Sequence, residues 1–287
     1  MFRNKEDIYI KKIVQRCTRI TSKGIGETLK WRLKVGMRWR VRKLCDKTKI
    51  VLIKQAKVIN FDPPNSNNFM LQFNGFTTAS KSLQDYFIYL IGLECGNLTY
   101  LELGAGPAIQ GSNTYTLEKF HKWKGVSIEL DSSLASTFRL QRINPIINAD
   151  ALLLNYEEIL ESFNLGPDIG YLQIDIDPSF QSLACLLRIP FDRYRFAGIT
   201  FEHDRYRSGS KVAKAQRAVL KHYGYELLVE DLLVDNKYPY EDWWVHPALV
   251  DIKKFQNLKH KRINPIKLFS NYESYGYILI LINTDFD

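Results

Sequence analysis

Three clusters in this 287-residue chain have the residue types and spacing to do chemistry. In the first, an apolar run through Tyr100 and Leu101 delivers a carboxylate, Glu102, and breaks after Leu103 into Gly104, Ala105 and Gly106. Glycines adopt backbone angles closed to other residues and let a ligand approach the main chain. Glu102 sets the sign of that ligand. A carboxylate does not suit phosphates, but it suits a cationic amino group, which favours S-adenosylmethionine over NAD or ATP. In the second cluster, Asp175 and Asp177 close another apolar run just before Pro178, and strand alternation points both the same way. The third is Glu202-His203-Asp204, at the end of the run through Ile199 and Phe201. Asp177, Glu202, His203 and Asp204 together suit Mg²⁺ or a similar hard cation, which would orient an acceptor hydroxyl and lower its pKa. The same acids equally suit a metal-free site that binds sugar hydroxyls, or a helix cap. Histidine is the side-chain type suited to proton transfer near neutral pH, which makes His203 the candidate base, with Asp177 and Asp204 beside it.

Further along, Glu129 ends a second strand about 25 residues after the glycines, where a carboxylate can accept hydrogen bonds from both ribose hydroxyls of a nucleoside. The stretch between carries Ser112-Asn113-Thr114, the acidic Glu118, and then Trp123, Gly125, Ile128 and Glu129. Over roughly residues 80–235 this resembles the FkbM-like methyltransferases, a class I S-adenosylmethionine-dependent family. Their pattern runs E-L-G-A-x-x-G-x-x-x-S-N-T, an acidic residue, then W-x-G-x-x-I-E. Pro107 and Ala108 depart from it, and the family's D-x-E-G is here Asp175-Ile176-Asp177-Pro178. The resemblance implies a cofactor site drawn from Glu102, Leu103, Gly104, Ala105, Gly106, Ser112, Asn113, Thr114, Glu129, Leu130, Asp150, Ala151 and Asp175. Asp150 and Ala151 would meet the adenine edge. It also implies a carbohydrate or glycan hydroxyl as acceptor. The acids at the two strand ends are similar to those of macrolide sugar O-methyltransferases, where they hold Mg²⁺ against the acceptor.

These residues need a scaffold, and the pattern supplies one. Strand signals at 98–103, 125–130, 146–149, 169–176, 197–202 and 225–229 alternate with helix signals at 80–92, 114–121, 132–142, 156–163, 180–187 and 212–222; a last strand follows at 278–282. Such alternation predicts a Rossmann-like α/β fold, a mostly parallel sheet covered by helices on both faces. Tyr238–Pro247, rich in aromatics and acids, reads either as an acceptor lid over a sugar ring or as an anchor at the sheet edge. His121, His222, His246 and His260 read as surface or packing residues.

The net charge of +9 is uneven: residues 1–60 hold 18 Lys/Arg against 4 Asp/Glu. The expected organisation is a basic extension over 1–60, a linker over 61–79 marked by Pro63-Pro64, and a methyltransferase domain over 80–287. Trp31, Leu33, Val35, Met37, Trp39 and Val41 alternate with basic residues, which reads as a half-buried strand with one basic face, or as a surface helix. That face suits an anionic surface or polymer, or packs against the domain. No apolar run reaches a membrane span, and Cys17, Cys45, Cys95 and Cys185 are scattered, which fits a cytoplasmic protein with reduced thiols. Two rivals stay open: a nucleic-acid methyltransferase gripping phosphates through the basic segment, and a non-catalytic interaction protein that keeps the fold.

Overall fold

The computed structural model describes residues 76–272 and, outside them, strands Thr28–Arg32, Arg38–Cys45, Thr48–Lys54, Phe69–Phe73 and Tyr277–Asn283. The chain divides into two compact units, Thr78–Tyr275 and Met1–Thr77 with Gly276–Asp287.

The larger unit is built on eight strands: β1 Thr99–Leu103, β2 Lys124–Glu129, β3 Ile146–Asn148, β4 Asp168–Ile174, β5 Arg195–Glu202, β6 Glu226–Val234, β7 Tyr238–Val245 and β8 His260–Lys261. Its helices are α1 Gln84–Cys95, α2 Tyr115–His121, α3 Ser132–Gln141, α4 Tyr156–Ser162, α5 Ser179–Leu186, α6 Arg205–Ser208, α7 Lys211–His222 and α8 Pro265–Tyr272. The strands lie in the order β3-β2-β1-β4-β5-β7-β6-β8. All neighbours are parallel except β7, which runs antiparallel to both β5 and β6. This is a Rossmann-like, mostly parallel sheet. Its order reverses between β1 and β4, so a crevice opens at the carboxyl ends there.

The two faces of the sheet are unlike. One row across it reads Val126, Leu101, Leu172, Ile199 and Trp244, all buried in the apolar core. The adjacent row, on the opposite face, reads Ser127, Glu102, Gln173, Thr200 and Trp243. It is also buried, so its polar groups must find partners inside the protein. α1 packs on that face. Phe87 stacks on Trp243 at 4.7 Å between ring centroids, and a Cβ on Gly198 would meet Ile88 at 2.7 Å.

Three differences from the sequence pattern have physical causes. Tyr238–Val245 is neither a lid nor an edge anchor but the antiparallel strand β7, with Trp243 and Trp244 fully buried. A strand covered on both faces loses the alternation that would have revealed it. α1 begins at Gln84 rather than Ser80, because Leu83 turns to φ 62° and breaks the helical path. The strand near 278–282 forms, but Tyr277–Asn283 pairs with Thr48–Lys54 and Phe69–Phe73 in a separate six-stranded sheet.

That second sheet bears on the expected extension and linker. The alternating basic run is two antiparallel strands with Trp31 opposite Trp39, not one strand or a helix; Leu33–Met37 lie outside the described residues. Within the span expected as linker, Phe69–Phe73 and Phe76–Thr78 are strands, and residues 61–68 lie outside the described residues.

At the switch point the backbone of β1 crosses the end of β4 at close range. Gly104 has φ +80°, and a Cβ there would lie 1.8 Å from the carbonyl oxygen of Asp175. Gly104→Ala is expected to cost roughly 3 kcal/mol or more in urea unfolding, since a backbone atom blocks the site and the φ is strained.

Candidate functional site

The glycine turn hangs from the ends of β1 and β2. The Gly104 and Ala105 amides both donate to the carbonyl of Ile128, at 3.0 and 3.1 Å, and the Asp175 amide donates to the carbonyl of Leu103. Gly106 has φ +61°, and a Cβ on it would meet nothing within 4 Å, so its outer side faces open space. Its amide donates to Glu129 Oε2 at 2.8 Å, while Glu129 Oε1 accepts from the Asp131 amide. Leu130 is exposed next to it. Asp150 follows β3 and accepts from the Leu152 amide at 2.9 Å, and Ala151 is buried behind it. Gly104, Gly106, Glu129, Leu130, Asp150, Ala151 and Asp175 therefore gather at the carboxyl ends of four adjacent strands.

Glu102, Ser112 and Thr114 lie beneath the turn instead. Glu102 is fully buried, and its Oε2 accepts from the hydroxyls of Thr114 and Ser127. Burial pushes its carboxyl up to about 7, although Arg142, Ser127 and Thr114 pull the other way. Ser112 Oγ accepts from the Thr114 and Tyr115 amides at the start of α2. Arg142 binds this layer together, donating to the Ala108 carbonyl, Ser112 Oγ and Thr114 Oγ1 and pairing with Glu118 at 2.7 Å. The hydroxyls of this segment are thus spent on supporting the loop, and Asn113 is buried between them. Arg142 and Ser127 escaped the sequence reading because only the fold brings them under residues 108–114.

Across the crevice stands a group of acids. Glu202 at the end of β5 lies directly opposite Glu241 on β7, and Asp175 follows the neighbouring strand β4. Like charges in directly opposed strand positions repel. Burial, then Asp175, Glu241 and Asp204, raise the Glu202 carboxyl far above the carboxylate range. Burial raises Asp175 to about 6, against a hydrogen bond shared with Glu202 and the Lys81 charge. Glu241 is raised to about 8, mainly by burial, and accepts from Gln84 Nε2 at 2.8 Å. The group holds protons at neutral pH, so donors and acceptors stand side by side. Glu241 was read only as part of the aromatic and acidic segment Tyr238–Pro247, not as the partner of Glu202, since β7 itself went unrecognised.

His203 does not join them. Strand alternation sends it to the face opposite Glu202. It is fully buried, with Nε2 at 3.2 Å from Asp242 Oδ1, and its Nδ1 accepts from the Arg205 amide. Both ring nitrogens are occupied, so His203 is not the base of the crevice. Asp242, Asp231 and His203 bring three ligand atoms within 4.8 Å of one another. Arg217 already bridges the two aspartates at 2.7 Å each, and Arg205 pairs with Asp231 at 2.6 Å. Burial opposes ionisation of Asp242, but His203 and Arg217 hold its carboxyl below the usual range. This is an ion network, already neutralised. Asp177 is 75% exposed, and Asp204 turns to Arg207 at 3.2 Å. His203 thus leaves the expected metal set, Asp177 and Asp204 share Arg207, and among the described residues Asp177, Glu202, His203 and Asp204 do not bring three ligand atoms within 4.8 Å of one another.

No family model matches the chain, and no curated protein matches it. Solved structures that it is similar to include the Dnmt2 methyltransferase of S. pombe, at 20% identity and TM-score 0.41, covering 52% of this chain and 49% of that one. The chain thus spans about half the length of that protein. An O-methyltransferase from Bacillus cereus in complex with SAH is 14% identical, with TM-score 0.42 and coverage of 58% and 81%. An rRNA methylase from Streptococcus thermophilus is 13% identical, with TM-score 0.40 and coverage of 57% and 94%.

Two consequences can be measured. Arg142→Met strands Glu118 and the hydroxyl layer in a buried place, and is expected to cost about 3–5 kcal/mol in urea unfolding. Between pH 4.5 and about 8 the folded protein keeps the Glu241 proton that the unfolded chain has lost, so stability falls as pH rises through that window. Glu241→Gln removes this titration, and its melting temperature should fall less steeply than that of the wild type between pH 5 and 8.

Proposed function

We propose that the protein is an S-adenosylmethionine-dependent O-methyltransferase acting on a hydroxyl of a carbohydrate or glycan. The observation that carries this reading is the glycine turn opening beside Glu129 and facing Asp175, Glu202 and Glu241 across the switch point. The residues fit the cofactor. A Cβ at Gly106 would point into unfilled space, and the buried Glu102 Oε1 lacks a hydrogen-bond partner. Glu129 would hold the ribose hydroxyls, and Asp150 with Ala151 the adenine edge.

When bound, the cofactor supplies a methyl group on a sulfonium, and transfer to oxygen requires the acceptor to lose its proton. Asp175 takes that proton at its carboxylate, in place of His203. Its raised pKa keeps it a stronger base than an exposed aspartate, while still largely ionised at neutral pH. Glu202 and Glu241, kept protonated, donate hydrogen bonds that orient the acceptor. Protonated and ionised carboxyls in one group offer both donors and acceptors to neighbouring hydroxyls, which supports a sugar.

A nucleic-acid acceptor is the second reading. The register of Thr28–Arg32 with Arg38–Cys45 places Lys30 opposite Arg40 and Arg32 opposite Arg38, setting these residues on one face of the hairpin. Among the described residues, no helix is long and apolar enough to cross a membrane.

Calorimetric titration with S-adenosylmethionine and S-adenosylhomocysteine tests the cofactor: micromolar binding is expected in the wild type and is lost in Glu129→Ala. Absence of binding to the wild type sinks the proposal. With an acceptor in hand, Asp175→Asn is expected to slow methyl transfer at least about 100-fold. The wild-type rate should rise with pH through about 6 as Asp175 ionises.

A further inference from the structure

The segment before α1 is held far more firmly than a connecting loop requires. Asp85 is fully buried and accepts from Thr78 Oγ1 at 2.6 Å, the Ala79 amide at 3.0 Å, the Ser80 amide at 3.3 Å and the Tyr86 amide at 2.8 Å. The Ala79 amide also donates to Thr116 Oγ1, and the Gly111 amide donates to the Ala79 carbonyl. On its other side Gln84 reaches Glu241. Residues 79–84 are therefore tied at once to the loop that follows the glycine turn and to the acid group. This fixed backbone presents one exposed cation, Lys81.

Two observations place that cation. The Lys81 stem lies on Gly111, where a Cβ would meet its Cε at 2.9 Å and its Cγ at 3.6 Å. Its charge also reaches Asp175 at the end of β4, where it opposes the rise in the aspartate's pKa. The side chain thus lies along the loop after the glycine turn, with its charge felt at the end of β4. The crevice is otherwise acidic, from Glu129, Asp175, Glu202 and Glu241. Two other cations already have partners: Arg142 is buried against Glu118, and Arg207 pairs with Asp204 at 3.2 Å and lies 3.9 Å from Asp177.

We infer that Lys81 binds the carboxylate of the cofactor's amino-acid end. The inference rests on the methyltransferase reading. A zwitterionic amino-acid end brings an ammonium, which the acids of the crevice accommodate, and a carboxylate, which the ionised Asp175 repels. Lys81 supplies the opposite charge at that place, and a charge-assisted hydrogen bond to a carboxylate is the strong kind. Asp85 acts through the backbone, by holding the segment from which Lys81 extends.

The test compares S-adenosylmethionine with its decarboxylated analogue by calorimetry, on wild type, Lys81→Met and Lys81→Arg, with melting temperature as the check on folding. The wild type is expected to bind the decarboxylated analogue about tenfold more weakly. Lys81→Met should lose about the same factor for S-adenosylmethionine and show no further loss for the analogue, whereas Lys81→Arg recovers most of the affinity. Unchanged binding of S-adenosylmethionine by Lys81→Met, or equal loss for both ligands, overturns the inference while leaving the methyltransferase reading standing. A wild type that binds neither ligand overturns both.

Discussion

Where the chain leaves β1, Gly104 passes so close to the end of β4 that any side chain there would collide with the Asp175 carbonyl. This contact holds the two strands between which the sheet order reverses, so it sets the floor of the crevice. The Asp175 amide is tied to Leu103, and the Gly104 and Ala105 amides are tied to Ile128. β1, β2 and β4 are thereby locked together at the level where Glu129 and Asp175 emerge. The glycine turn can open outward only because its inner side is pinned at that one place.

The buried acids divide by whether a cation accompanies them. Asp231 and Asp242 lie as deep as any residue, yet Arg217 and Arg205 neutralise them, and Arg217 with a hydrogen bond to His203 keeps Asp242 ionised. Asp175, Glu202 and Glu241 face one another, with the Lys81 charge reaching Asp175, and their pKa values rise. Desolvation acts on both groups in the same direction; the neighbours decide the outcome. The first group therefore stabilises a particular arrangement of β5, β7 and α7. The second keeps protonated carboxyls beside an ionised one at the carboxyl ends of β4 and β5, which is a disposition suited to chemistry.

The polar row Ser127, Glu102, Gln173 and Thr200 connects these themes. It runs under α1 on the face that also bears the acid group, and Glu102 joins it to the hydroxyl layer held by Arg142. Most of these groups are satisfied by partners from other segments; Tyr171, for instance, pairs with Thr200 at 2.7 Å. Such a network favours a single arrangement of the loop above it, because any shift leaves polar groups unpaired in a dry place.

Much of this was legible in the sequence. Alternating strand and helix signals, and the glycines after Glu102, determined a Rossmann-like sheet with a crevice at its carboxyl ends, because periodicity and glycine conformations are local properties. Glu129 was singled out by its spacing from the glycines, and Asp150 by the resemblance. The roles of Glu102, Ser112, Thr114 and His203 were decided only by tertiary structure. A side chain's type does not say whether it faces the crevice or the layer beneath it. Adjacent residues on a strand face opposite ways, so Glu202 and His203 part company although they are neighbours in sequence. β7, Glu241 and the supporting Arg142 depended on segments far apart in the chain meeting in space, and the last strand, Tyr277–Asn283, chose its sheet by pairing. Local pattern carries the elements; burial and pairing, which are properties of the folded whole, decide which of their side chains are free to act.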